Sequence, residues 1–251
     1  MLHIDFLKNN KNSILVWVFF LVCNISSFAQ LSRKHYLPPF HSKDIDFVQS
    51  QFIYLSTFET APFTVTVTDG AGNPIEGSPF VISKGNHARV QVGSGLSDSK
   101  LFVTQEELNN PISSKGLLLE AKKMFYTSFR TEFTFANDGL TYHAGYLTCK
   151  GESALGNSFR LGSIPQSEFT LSHSNTNFFA SIMATEDNTT VSISDYNTDV
   201  EFLDVNGNIL SDNLNITLNK GESYVVSGYT ADIPGNLEGI IGALVTSDKP
   251  I

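Results

Sequence analysis

Cysteine is almost missing from this chain: its 251 residues include only Cys23 and Cys149. Cys23 falls in an N-terminal stretch read below as a leader, so one thiol is left, and a lone thiol cannot cross-link a fold. Stability must come from a hydrophobic core, for which the remaining length is ample. Cys149 closes the strand-like run Ala144–Cys149 and is expected to be a small buried apolar residue rather than a reactive one. Tryptophan is scarcer still, with Trp17 alone and in the same leader stretch, which argues against a lectin-type platform built on indole rings.

Basic runs are also lacking; none is longer than Arg33-Lys34 or Lys122-Lys123. The formal net charge is -9, and it becomes more acidic without residues 1–29, which carry Asp5, Lys8 and Lys11. An acidic surface repels phosphate backbones and anionic headgroups, so nucleic acid is excluded as a partner. Helix signals are nearly absent. Thr104 and Glu107 have capping-box spacing, but Pro111 stops any helix within two turns.

Catalytic patterns are missing too. No His-Glu-x-x-His occurs, and Gly151-Glu152-Ser153-Ala154-Leu155-Gly156 has one residue too many for a nucleophile elbow and no helix after it, so it reads as a loop between strands. Gly70 with Gly72, and Gly93 with Gly95, belong to turns without a dinucleotide-binding context. His87, His143 and His173 lie on separate strands and loops. No catalytic, cofactor-binding or metal-ligating residue is assigned, no cofactor is implied, and the chain is read as a non-enzyme. Asp204-Val205-Asn206-Gly207-Asn208 alternates oxygen ligands as calcium loops do, yet lacks the glycine and glutamate such loops need later. It reads as a plain hairpin turn, because Asn and Gly tolerate positive φ. Tyr142, Tyr146, Tyr196 and Tyr229 are the candidates for carbohydrate stacking, although most aromatics of a β protein this size must be core.

What is present begins with a processing signal. Lys8 and Lys11 precede the apolar run Ile14–Val22, and Ser27-Phe28-Ala29 places small residues at the cleavage positions. Residues 1–29 are expected to be a signal peptide, removed after Ala29. The run is too short for roughly 30 Å of hydrocarbon, so no membrane span is expected after cleavage. Beyond it, short runs rich in Phe, Tyr, Thr and Val alternate with Gly, Asn, Asp and Pro, as antiparallel strands do. Strands are expected at 52–55, 63–68, 80–83, 88–92, 117–121, 125–135, 142–148, 178–184, 190–194, 200–203, 215–218, 223–226 and 240–245.

Three marks recur in order. Asp69–Ile75 echoes Asp204–Leu210, Ser83-Lys84-Gly85 echoes Asn219-Lys220-Gly221, and Gly116–Lys123 echoes Gly242–Lys249. They predict a duplication with about ten extra residues in the first copy, around Leu96–Pro111. The fold expected is all-β, in tandem antiparallel sandwich-like units at 30–150 and 151–251; propeller-like β repeats are the alternative. In the first copy a long strand follows Met124. Pro250 holds the same place in the second, so that unit is expected to be incomplete, with a neighbour missing from the strand at 240–245. The chain is read as the N-terminal part of a larger protein.

The phrases Leu31–Pro39, Ala154–Arg160, Ala184–Val191, Leu218–Tyr224 and Gly242–Ile251 together resemble the IgGFc-binding protein N-terminal domain. They are most similar to copies near the N-terminus of large cell-surface proteins of gliding Bacteroidetes, which end in a gliding motility-associated sorting domain. The resemblance implies an exported, non-enzymatic surface module in adhesion or surface interaction, with a protein or polysaccharide ligand. A carbohydrate-binding accessory domain of a secreted enzyme is the alternative. No antibody-binding determinant is visible in the residues.

Overall fold

A computed structural model describes residues 30–41, 48–134, 141–163, 177–202, 214–229 and 234–251. The leader, the Asp204–Asn208 turn and His173 lie outside the described residues. Strands dominate, and every strand pair is antiparallel. In chain order they are β1 (Ser32–Leu37), β2 (Val48–Ser56), β3 (Phe63–Asp69), β4 (Phe80–Ile82), β5 (Ala88–Gly93), β6 (Pro111–Ile112), β7 (Leu117–Thr134), β8 (Thr141–Thr148), β9 (Ser158–Arg160), β10 (Asn177–Met183), β11 (Thr189–Ser194), β12 (Leu214–Leu218), β13 (Ser223–Tyr229) and β14 (Leu244–Ser247).

The runs expected at 117–121 and 125–135 are one strand, β7, of 18 residues. At about 3.3 Å per residue it is some 60 Å long, enough to serve two sets of partners. Its first half lies between β1 and β3, with Leu119 opposite both His35 and Val67. Its second half lies between β2 and β8, with Phe129 opposite both Ile53 and Leu147. The sheet runs β4-β3-β7-β2-β5, and its two end strands are consecutive, joined by the turn Ser83–Asn86. The sheet therefore comes close to closing on itself as a barrel. Inside are Ile53, Leu55, Val65, Val67, Leu119 and Phe125, all at most 1% exposed.

The strands of the second copy lie in two sheets, β10-β13-β6, to which the first half of the chain lends β6, and β12-β11-β14-β9, around a separate core that includes Phe178, Val191, Ile193, Phe202, Val226 and Val245. Alternation makes it: in β11 and β12, Val191, Ile193, Leu214, Ile216 and Leu218 are buried while the residues between them are not. Each such side chain contributes roughly 1.5–3 kcal/mol by leaving water. Among the described residues these are packed sheets rather than the radial blades of the propeller alternative.

The duplication holds residue by residue. Val67 opposes Leu119 as Ile193 opposes Val245, each 126 positions on (193 − 67 and 245 − 119). Phe63 opposes Ile82 as Thr189 opposes Leu218. His35 opposes Leu119 as Phe159 opposes Val245. Ile53 opposes Val90 as Ala180 opposes Val226. Thus β1, β2, β3, β4, β5 and the first half of β7 correspond to β9, β10, β11, β12, β13 and β14. The register also corrects one mark: the counterpart of Asp69, 126 positions on, is Asp195 and not Asp204, because the second copy has the longer β11–β12 connection.

Other expectations change as well. Ile240–Gly242 form a turn, and β14 begins at Leu244. β14 also lacks no neighbour: β11 pairs with one edge and β9 with the other. Val200 and Phe202 are buried in the second core but outside any strand, whereas β1, β6 and β9 were not anticipated.

The ten extra residues of the first copy form a strap across to the second. It starts at a buried polar knot, where Ser99 Oγ donates to Gln51 Oε1 at 2.6 Å and Gln51 Nε2 to the Gly95 carbonyl at 2.8 Å. Lys115 Nζ donates to the Ser99 carbonyl at 2.6 Å, and burial lowers the Lys115 pKa. At the Thr104/Glu107 box the Thr104 N–H donates to Glu107 Oε2, but only a three-residue 3-10 turn forms. β6 then pairs with β13, and Val103, Leu108 and Ile112 close over Val225.

Candidate functional site: converging turns and an open sheet edge

Three of the phrases singled out in the sequence meet at one corner. Residues 184–188 form the turn between β10 and β11, and Thr189 and Thr190 open β11. There Asn188 takes φ 53°, a conformation Asn tolerates better than most residues, and Thr189 Oγ1 caps the Glu186 carbonyl at 2.7 Å. The second phrase reaches across to it: the Lys220 N–H donates to Asp187 Oδ1 at 3.0 Å, and Asn219 Oδ1 accepts from the Asn188 N–H at 3.3 Å. The third closes the cluster. Thr190 N–H donates to Asp248 Oδ1 at 2.7 Å, Lys249 Nζ to the carbonyls of Asp187 and Asn188, and Thr185 Oγ1 to the Pro250 carbonyl. The polar residues of these turns are consumed in holding strand ends together.

The phrase Ala154–Arg160 performs the same service on the other side of β14. Gly156 exchanges both backbone hydrogen bonds with Ile251, Asn157 Nδ2 donates to the Ser247 carbonyl at 3.2 Å, and Phe159 packs on the second core. Arg160 Nη1 bridges Asp195 Oδ2 at 2.9 Å and the Gly242 carbonyl at 2.8 Å. The pair is well exposed on both sides, so it positions the turn more than it stabilises the fold.

Ligand-accessible chemistry lies elsewhere, where β8 and β10 present their outer edges. A groove of about 300 Å³ there has a floor of Phe40, Phe102, Phe129 and Phe133 and walls of Tyr146, Leu147 and Phe179. The floor is an aromatic cluster: Phe40 stacks on Phe129 with ring centres 5.1 Å apart, and Phe102 meets Phe133 edge-on at 6.2 Å. The walls are open to water, with Tyr146 70%, Leu147 45% and Phe179 40% exposed. The Thr131 hydroxyl, also in the lining, is buried without a hydrogen-bond partner. A concave apolar surface with a few polar groups, here Thr131 and His41, and exposed aromatic walls is the usual form of a recognition site.

Of the tyrosines considered for stacking, Tyr146 reaches this groove. Tyr196 packs edge-on against Phe202 at 5.1 Å, and the side chains of Tyr142 and Tyr229 lie outside the described residues. His87 is exposed, and the His143 side chain lies outside the described residues. Gly151–Ala154 form a 3-10 turn leading to β9, the loop expected there. Gly151 sits against Ser32, and Ser153 Oγ donates to the Lys150 carbonyl at 2.8 Å. Among the described residues no cluster of three or more His, Cys, Asp or Glu side chains could hold a metal. Cys149 is buried and unpaired, and burial pushes its thiol up to about 12, far from a nucleophile's range.

Sequence reasoning missed Leu147 and Phe179. Both sit in runs of apolar residues that read as core, and only the tertiary arrangement leaves them at strand edges. No curated protein matches the chain. Residues 144–251, from within β8 through all of the second copy, match the family model described as IgGFc binding protein, and it is to that family that this half of the chain, with Tyr146, Leu147 and Phe179 in it, is similar.

Proposed function

We propose that the chain is a non-enzymatic binding module of an exported cell-surface protein, acting in adhesion or surface interaction of the kind found in gliding motility-associated proteins. The observation that carries this reading is the groove between β8 and β10, whose exposed walls belong to the stretch similar to the IgGFc binding protein family. Monomeric proteins rarely leave tyrosine, leucine and phenylalanine open side by side unless something covers them. The module comprises a signal peptide at 1–29 and β units at 30–150 and 151–251, and its acidic charge suits protein or polysaccharide rather than nucleic acid.

Binding of the purified chain to arrays of extracellular proteins and polysaccharides tests the reading. Tyr146→Ser with Phe179→Ser should reduce the captured signal at least tenfold without lowering the melting temperature. Undiminished binding by this double variant would overturn it, as would turnover of a substrate abolished by a single substitution. The exposed Tyr146 ring favours a second reading, a carbohydrate-binding accessory domain. Capture confined to polysaccharides would select it.

A further inference from the structure

The duplication leaves one seat in the second copy unfilled among the described residues. In the first copy β2 lies between β5 and the second half of β7. Its counterpart β10 pairs with β13 on one side and with no described strand on the other. The Ala184 N–H donates to the Glu222 carbonyl. Along an antiparallel strand the direction alternates, so the N–H groups of Phe179, Ser181 and Met183 point to the open edge. Ser181 Oγ is buried there without a hydrogen-bond partner.

Beside this edge is a groove of about 370 Å³, lined by Phe159, Leu161, Ser181, Met183, Val245 and Ile251 among others. In the first copy the strand in this place inserts Phe125, Thr127 and Phe129, all buried. Ile251 is the counterpart of Phe125, 126 positions on. Phe125 is where β7 passes from β1 to β2: it opposes Ser32, and the next residue, Tyr126, opposes Ser56. Ile251 already packs on the second core, at the mouth of the groove.

We propose that the open edge of β10 is the seat of an extended strand continuing directly from Ile251, antiparallel to β10, as the second half of β7 is to β2. The first residue after Ile251 lies opposite Met183 and the third opposite Ser181. The second and fourth turn inward, and an apolar fourth residue fills the groove. The strand satisfies the outward N–H groups of β10 and converts an edge open to intermolecular pairing into an interior strand. This goes beyond the binding role and does not depend on it.

The first copy supplies the probe. Residues Tyr126–Phe133 grafted directly after Ile251 would place each side chain in its equivalent seat. With the graft, amide exchange at Phe179, Ser181 and Met183 should slow at least tenfold in a monomeric chain. A cysteine at the third grafted position should form a disulfide with Ser181→Cys, and one at the second should not, because a one-residue slip turns the side chain to the other face. Protected β11 amides, interior to their sheet, certify folding in each variant. Unchanged exchange in a folded grafted chain would overturn the proposal, as would a disulfide indifferent to position. Protection that appears only as dimers form would assign the seat to a second copy and overturn it equally.

Discussion

Gly70 and Gly221 meet backbone to backbone, and a Cβ on either would collide with the carbonyl oxygen of the other. A Cβ on Gly70 would also lie 2.8 Å from the Ser113 carbonyl and 3.0 Å from that of Lys115. This is where the β3–β4 turn of the first copy, the end of the strap and the β12–β13 turn of the second copy touch. No flexible side chain is available to yield.

Alanine at this contact is expected to push the two copies apart. Gly70→Ala should cost more than about 2 kcal/mol, in the range of large, mechanism-specific losses. Gly221, at φ 83°, adds a left-handed backbone penalty of roughly 1–2 kcal/mol. Gly72 is the control, with φ 85° and open space around it. Denaturant melts should therefore rank Gly221→Ala well below Gly72→Ala in stability. Equal losses would mean that the contact carries no packing energy.

The strap is expected to hold the second copy's β13 in place. Leu108 and Val225 are 2% and 0% exposed within one small cluster. Leu108→Ala should cost about 2–5 kcal/mol and speed amide exchange along β13 more than along β3. A uniform change across both strands would show that the strap does not act locally.

Stability is expected to fall in mild acid because of His35. Its ring is fully buried, Nε2 lies 3.0 Å from the Phe125 carbonyl, and Nδ1 has no partner. Burial lowers its pKa; the Phe125 carbonyl and the nearby charge of Glu152 oppose that shift without cancelling it. The folded state thus takes up its proton at lower pH than the unfolded chain. Its contribution is complete above the unfolded value of about 6.5 and is lost as pH falls below it, by at most about 1.4 kcal/mol per pH unit. Melting curves from pH 7.5 to 5 should show the decline, and His35→Phe should flatten it.

Cys149 is expected to resist alkylation in the native state. Its thiol is 5% exposed and raised to about 12. Iodoacetamide at pH 8, read by peptide mass, should label it only in denaturant, in step with unfolding. Fast native labelling would mean that β8 opens locally.

Local chemistry was enough to determine the fold class, most of the strand positions and, with one mark displaced, the duplication. Alternating Val, Ile and Phe write strands, and Gly85, Gly116, Gly221 and Gly242, all at φ near 80°, mark turns that only glycine adopts cheaply. Those signals lie within a few residues of one another, so the chain carries them before it folds. Which strand neighbours which is not such a signal. The apolar runs of β7 and β14 look alike, yet β7 bends through Phe125 into a second set of partners, while β14 is sealed between β9 and β11 and the open edge falls to β10. Likewise, Phe125 and Phe179 are both phenylalanines in strands, yet Phe125 faces the first core while Phe179 lies on the side of β10 away from the second, so one is 0% and the other 40% exposed. Burial of that kind is decided by contacts between residues far apart in the chain, which is why the groove and its edge emerged only with the tertiary structure.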